Sequence, residues 1–298
     1  MFSTRRQILL APVVQVAAQV AGTGGKMTLS LHQTTSASAG FRKSLEGWSR
    51  AGIKNVELTA ALLDEFLRTD TLAAAGRLIS DLGLTPVSAA CGVAGMWEPN
   101  PNRAAALESL KKRSEMFASI GLGKIYAPTT TTQKFTLGDY QAAAQNMHEV
   151  GEIVKQFRLT AMVEFVRASS FISTLPTLLK ATREAAHSNL RPMLDCYHFW
   201  SGLSKFEDLD LIEPGELAHV HFQDVPDMPR ELLDNTTRLI PGDGISPLKR
   251  ILRKLSEKGY SGPLSVELFL PQFQQADPYE LARRIRERAE PVMREAGV

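Results

Sequence analysis

Cysteine is scarce. Cys91 and Cys196 are the two thiols in 298 residues, too few for a disulfide framework and not spaced as a C-x-x-C pair. Cys196 lies inside an apolar run, the setting of a free buried thiol. Charge of one sign is lacking too. Thirty-four Lys and Arg stand against 32 Asp and Glu, a net of +2, which is too weak a field to gather nucleic acid or an acidic membrane. No stretch has the length and apolarity of a membrane span. No linker rich in Gly, Pro or Ser separates two halves. After the first β-like run the chain reads HQTTSASAG, so the G-x-G-x-x-G phosphate loop of an open nucleotide-binding sheet is missing.

What is there is ordinary in bulk, with 44% hydrophobic and 22% charged residues, as in soluble globular proteins. It is regular in pattern. Eight short apolar or β-branched runs stand at 27–33, 55–60, 85–91, 124–129, 160–166, 191–200, 218–224 and 263–269. Between most of them lie stretches of helical period. Phe41, Leu45 and Trp48 recur on one face. So do Leu110, Phe117 and Ile120, and again Met147, Val150, Val154 and Phe157. Ser246-Pro247 reads as an N-cap followed by proline at the first helical position, Leu248, Ile251, Leu252 and Leu255 as the stripe, and Gly259 as the stop. Asp277-Pro278 opens a last helix in the same way. Strands alternating with helices imply parallel pairing. Eight such units in about 270 residues match an α/β (β/α)8 TIM barrel. The expected organisation is a single barrel domain over 26–298 behind a separate leader over 1–25.

Such a barrel builds its site at the C-terminal ends of its strands. Glu164 stands near the end of the fifth run, Asp195 in the sixth, His221 in the seventh and Glu267 in the eighth. Each is set among apolar neighbours. Singly, each type is more often structural than catalytic. Burying all four without a partner would be prohibitive. Four successive strands aim them at one part of the barrel mouth, and a divalent cation between them would neutralise the charge. Three carboxylates and an imidazole suit one Mn2+ or Mg2+ ion, with Co2+, Zn2+ and Fe2+ as further fits. His219 and His221 share a face of their strand, because side chains alternate. They are either two ligands, or one ligand above a packed neighbour. Glu57, in NVELTA, reads as a salt-bridged or lip glutamate.

In order along the chain, MVEF, LDCYH, HVHFQD, IPGDG and GYSGPLSVELF resemble the xylose-isomerase-like TIM-barrel superfamily. Within it they resemble the sugar (sugar-phosphate) isomerase and epimerase branch, which includes tagatose 3-epimerases, hydroxypyruvate isomerases and inosose dehydratase. The resemblance is strong over about 160–270 and loose before that. It implies one divalent metal held by Glu164, Asp195, His221 and Glu267, and a hydrogen bond from His198 to a substrate oxygen. His221, nearer the C-terminal end of its strand, takes the metal, and His219 sits a layer deeper as packing or support. An amidohydrolase would carry its HxH pair on the first strand, where this chain has His32 alone.

The chemistry implied is removal of a proton next to a carbonyl, with the enediolate stabilised by the metal as Lewis acid and with Glu164 and Glu267 as acid and base. Their strands are three apart, so the two can flank a bound substrate. Epimerisation, aldose–ketose isomerisation and an inosose-type dehydration all share this intermediate and stay open. Endonuclease IV has the same barrel and a similar D-x-x-H element. It needs three zinc ions, and DNTTRLIPGDG, SAACG and YAPTT lack the extra histidines, which disfavours a nuclease. The expected partner is a small carbohydrate or polyol, with no nucleic acid, no membrane span and self-association left open. His32, Trp97, Tyr126 and Arg167 lie near run ends. His32 and Trp97, the latter as a stacking ring, are expected at the substrate together with His198. Arg230 and Arg238 follow the seventh run and could meet an anionic group, and Arg230 is expected among the substrate contacts. The leader, with S-T-R-R-Q-I-L-L followed by small residues, resembles a twin-arginine export signal. A periplasmic or exported location is expected on that ground. A cytoplasmic protein, or a start at Met27, is the alternative.

Overall fold

The computed structural model describes residues 26–298, so the expected leader over 1–25 lies outside the described residues. The strands are β1 (Thr28–His32), β2 (Asn55–Thr59), β3 (Thr85–Ala90), β4 (Lys124–Pro128), β5 (Thr160–Glu164), β6 (Leu190–Asp195), β7 (Val220–His221) and β8 (Pro263–Val266). They pair in parallel in chain order and close into a barrel, β8 returning to β1 through Thr28–Pro263 to Leu31–Val266. Each of the eight runs read from the sequence becomes one strand, and the (β/α)8 architecture follows.

The helices are α1 (Gly40–Arg50), α2 (Ala60–Phe66), α3 (Leu72–Asp81), α4 (Arg103–Ser119), α5 (Leu137–Lys155), α6 (Leu175–Ala185), α7 (Cys196–Ser201), α8 (Leu248–Glu257), α9 (Pro271–Gln274) and α10 (Pro278–Ala296). Local chemistry sets their ends. Thr136 and Asp139 form a capping box at the start of α5. The Asp277 carboxylate accepts the N–H groups of Tyr279 and Glu280 at the start of α10. Gly259, at φ +78, ends the turn after α8. The α8 stripe of Leu248, Ile251, Leu252 and Leu255 is buried against the barrel, each side chain contributing about 1.5–3 kcal/mol by leaving water. Two boundaries differ from the sequence reading. α8 begins at Leu248, with Pro247 in the cap position, one residue later than expected. The sixth run stops being a strand at Asp195, because that carboxylate accepts the His198 N–H at 2.6 Å and starts α7.

Most of the apolar core fills the space between barrel and helices. The barrel interior is divided. Tyr126, Met162 and Met193 form a small apolar cluster on β4 to β6. On the other side, β1, β2, β3 and β8 contribute Ser30, Glu57, Ser88 and Ser265, joined by His219 just ahead of β7, all fully buried. In the β2–β3 pairing Val56 meets Pro86 and Glu57 meets Ser88, so β3 carries Val87 as an extra residue beside a proline that has no N–H to pair. No helix among the described residues is long and apolar enough to cross a membrane.

Candidate metal centre

Glu164 at the end of β5, Asp195 at the end of β6, His221 at the end of β7 and Glu267 one residue past β8 meet at the barrel mouth. All four are buried. Nδ1 of His221 lies 2.9 Å from Glu164 Oε1 and 3.5 Å from both Asp195 Oδ2 and Glu267 Oε2. One donor atom from each residue lies within 4.8 Å of all the others. Strand alternation explains the convergence: these are the last inward-facing positions of adjacent parallel strands.

The surroundings fix each group. Asp195 Oδ1 accepts the His198 N–H, and Oδ2 accepts Gln223 Nε2 at 2.6 Å and Arg238 Nη1 at 2.7 Å. Arg238 Nη1 also donates to Glu267 Oε2 at 2.7 Å. Its Nη2 lies 3.0 Å from His198 Nε2. A guanidinium can only donate, so His198 Nε2 accepts and its proton sits on Nδ1. On the other side of Glu267, Oε1 accepts from the Tyr126 hydroxyl at 3.2 Å, and His32 Nε2 lies 3.0 Å from that hydroxyl. His32 Nδ1 accepts the Thr34 N–H. Its proton is therefore on Nε2 and points at the Tyr126 oxygen, whose own O–H donates a hydrogen bond to Glu267. Glu267 is thus held from both ends. Glu164 is hydrogen-bonded through Oε1 alone among the described residues.

Electrostatics follow from this packing. Burial pushes Glu164 up to about 7, against the pull of His221. Burial also raises Glu267 and Asp195, but His221 and Arg238 hold Glu267 below the usual carboxylate range, and Arg238 and His198 hold Asp195 well below it. Burial lowers His221, yet Glu267, Glu57 and Glu164 outweigh it and lift the imidazole well above its ordinary value. Burial brings His198 down to about 4 despite Asp195. A field that favours positive charge on His221 this strongly favours a cation between the same carboxylates. Three oxygens and one nitrogen are the donors a divalent ion of hard or borderline type takes. Glu267 Oε2 keeps a lone pair beside the one given to Arg238, Asp195 Oδ1 keeps one beside that given to His198, and Glu164 Oε2 is unengaged among the described residues, so these residues fit a divalent metal.

A cavity of about 390 Å³ opens above the cluster, with Glu164, Glu267, His32, Tyr126, His198 and Arg238 among its polar lining and Val93, Val166 and Phe269 on its apolar wall. Two residues expected there do not reach it. Trp97 is buried, with its indole N–H on the Ala127 carbonyl and its own carbonyl taken by Asn146. Its ring packs into the core behind β4. Arg230 is exposed and lies over the Trp200 ring at 5.4 Å, on the outer rim. Arg167 turns the same way and donates to the backbone carbonyls of Leu233 and Arg230. The arginine at the cavity is Arg238. An antiparallel bridge between Asp224 and Leu239 folds the intervening segment outward and brings Arg238 back over β7. Glu57 is not at a lip: it is fully buried inside the barrel, 3.0 Å from His219 and 3.2 Å from His221. A lone V-E-L carries no signal for that position, and the sequence gap between His221 and Arg238 hides the other.

The profile of the family described as Xylose isomerase-like TIM barrel matches residues 47–293. An inosose isomerase of Halalkalibacterium halodurans is 26% identical over 251 residues, covering 83% of this chain and 89% of that protein. Among solved structures, the IOLI protein with a binding zinc atom superposes with a TM-score of 0.84 at 20% identity, covering 91% of this chain and 99% of that one. An L-ribulose 3-epimerase superposes with a TM-score of 0.71 at 18% identity, covering 91% and 96%.

Proposed function

We propose, from the premise that this chain belongs to the xylose isomerase-like TIM-barrel family, that it is a metal-dependent isomerase or epimerase of a small carbohydrate or cyclic polyol ketone. The observation that carries the proposal is the convergence of Glu164, Asp195, His221 and Glu267 under one cavity. A relative matched over 83% of this chain and 89% of its own length is named an inosose isomerase, which supports a ketone of that class as substrate.

Glu164, Asp195, His221 and Glu267 would hold one divalent ion, whose contribution is Lewis-acid polarisation of the substrate carbonyl. The chain's own groups do the rest. Arg238 holds Asp195, Glu267 and His198 Nε2 in place, which leaves the His198 proton on Nδ1 as the donor proposed for a substrate oxygen. Glu164, with Oε2 unengaged among the described residues, is the carboxylate placed to take the proton from the carbon next to the carbonyl. The electron pair left behind forms the enediolate. Glu267 faces the same space from a strand three places away and is the second carboxylate available for proton return. Return to the same carbon from the opposite face gives an epimer, and return to the neighbouring carbon gives the positional isomer. The apolar wall keeps water from the carbanion side. Arg238 is already shared between two carboxylates, and among the described residues no second Lys or Arg lines the cavity, which favours an uncharged substrate over a phosphate ester.

The test is product analysis of the metal-loaded protein against a panel of free ketoses, inososes and their phosphate esters. Conversion of an uncharged ketone to an isomer or epimer is expected. Net loss of water from the substrate would move the assignment to the dehydratase reading. Cleavage of a phosphodiester would contradict it.

A further inference from the structure

Glu57 takes no part in the proton chemistry above, yet it is a fully buried carboxylate on β2. Burying such a charge is costly unless its partners repay it. Two histidine nitrogens approach the same oxygen. Glu57 Oε2 lies 3.0 Å from Nε2 of His219, in hydrogen-bond geometry, and 3.2 Å from Nε2 of His221, somewhat off the hydrogen-bond line. The other nitrogen of the His221 ring, Nδ1, faces Glu164, Asp195 and Glu267. The ring therefore stands between two sets of carboxylates, one at each nitrogen.

A ring nitrogen that carries a proton cannot coordinate a metal, and one that coordinates cannot donate. In this structure Nδ1 bonds Glu164 Oε1; a metal on Nδ1 would displace that proton and leave the ring's remaining one on Nε2, directly beside Glu57. His219 donates to Glu57 from its own Nε2, so Glu57 is itself held. Little else competes for it. Among the described residues, Glu57 Oε1, the buried hydroxyls of Ser30, Ser88 and Ser265, His219 Nδ1 and His221 Nε2 itself have no aligned hydrogen-bond partner. The far side of the barrel interior is the apolar Tyr126, Met162 and Met193 cluster.

We infer that Glu57 is the positioning residue of the metal centre: it fixes the His221 proton on Nε2, leaves Nδ1 as the coordinating atom, and is braced in turn by His219. This rests on the metal-dependent reading of the site. A carboxylate that orients a metal-bound imidazole also raises its basicity as a ligand, and losing such a partner costs about 10–100-fold in metal affinity.

The first measurement uses the intact chain, labelled with 15N-histidine and loaded with Zn2+. Long-range 1H–15N correlation reads the state of each imidazole nitrogen. A metal-bound Nδ1 and a protonated Nε2 on His221 are expected, and a metal-bound Nε2 would overturn the inference. The second measurement is Zn2+ affinity by chelator competition for the wild type and Glu57→Gln. About 10–100-fold weaker binding in the variant is expected, with one ion per chain in both. A merely structural Glu57 would lower thermal stability and leave the affinity of the folded chain unchanged, which would overturn the inference while the proposed reaction stood. A wild-type chain that binds no Zn2+, Mn2+ or Mg2+ would overturn both. Glu57, His219 and His221 also lie close enough to ligate an ion themselves. Two ions in the wild type and one in Glu57→Gln would make Glu57 a ligand and overturn the positioning role. If the variant fails to fold, the nitrogen assignment in the wild type still decides.

Discussion

Glu164 and Glu267 are chemically alike and environmentally different. Glu267 is pinned by Tyr126 on one oxygen and Arg238 on the other, and Glu164 keeps an oxygen free. Replacing either by Gln preserves shape and removes the proton-accepting charge. Glu164→Gln and Glu267→Gln are each expected to cut turnover by about 10²–10⁴-fold with unchanged circular dichroism. Steady-state kinetics check this, and turnover retained in both variants would contradict the assigned pair. His198 gives a second prediction. Its folded value is about 4, against the ordinary 6.5. Between those values the unfolded chain binds a proton that the folded chain refuses, so stability falls as pH drops from 6.5 toward 4. The full gap corresponds to about 3 kcal/mol. His198→Gln is expected to flatten the loss of Tm between pH 7 and 4.5, and an unchanged slope would contradict it. At this scale the sequence was legible where period and position agreed. The four donors stand near the ends of inward-alternating strands, so their convergence could be read from spacing. Trp97 could not be placed, because an apolar ring in a loop is equally suited to a substrate and to a core. Glu57 looked like many other strand glutamates, and only the closed barrel brings it to His219 and His221.

The segment from Phe222 to Pro247 acts as one element although it has almost no regular structure. Asp224 organises it. Its carboxylate accepts the N–H groups of Val225 and Ser246 on one oxygen and of Gly242 and Gly244 on the other. A Cβ on Gly244 would meet the Val225 carbonyl at 2.3 Å, so the turn is closed too tightly for a side chain. The Asp224–Leu239 bridge within it carries Arg238 to the cavity. Asp224→Ala leaves four backbone donors to find water, at a cost of about 1–3 kcal/mol, and frees Arg238 from its track. A lower Tm together with a KM raised more than kcat is lowered is the expected result. A lower Tm with unchanged KM would show that Arg238 is positioned without this turn. Regular elements were legible because strand and helix periods differ. The junction of β6 and α7 was not, since an apolar run with no break gives the same reading for strand and buried helix. Nor was the return of Arg238, which depends on a single bridge between residues far apart in sequence.

At the scale of the whole barrel, four buried carboxylates at and beneath the mouth, Glu57, Glu164, Asp195 and Glu267, face one buried guanidinium, Arg238. A bound divalent ion relieves that imbalance and binds the folded chain alone, so it stabilises by mass action, about 2.7 kcal/mol at a hundredfold excess over Kd. Stripping the metal with a chelator is therefore expected to lower Tm by several degrees and to abolish turnover, with both restored on adding metal back. A Tm indifferent to chelator and to added metal would argue against the cluster as a metal centre. The closed barrel makes such a site possible: its parallel strands bring residues from the second half of the chain to one rim, and β8 pairs with β1 so that Glu57 and His32 complete the wall from the first half. The central claim is that this rim, once loaded, removes a proton next to a substrate carbonyl. The measurement that tests it most directly joins elemental analysis of the purified protein to exchange of substrate C–H for deuterium in D2O, followed with and without chelator. About one divalent ion per chain and exchange that vanishes on chelation are the predicted result. Exchange that persists without metal, or a loaded protein that exchanges no C–H proton of any ketose or inosose, would contradict it.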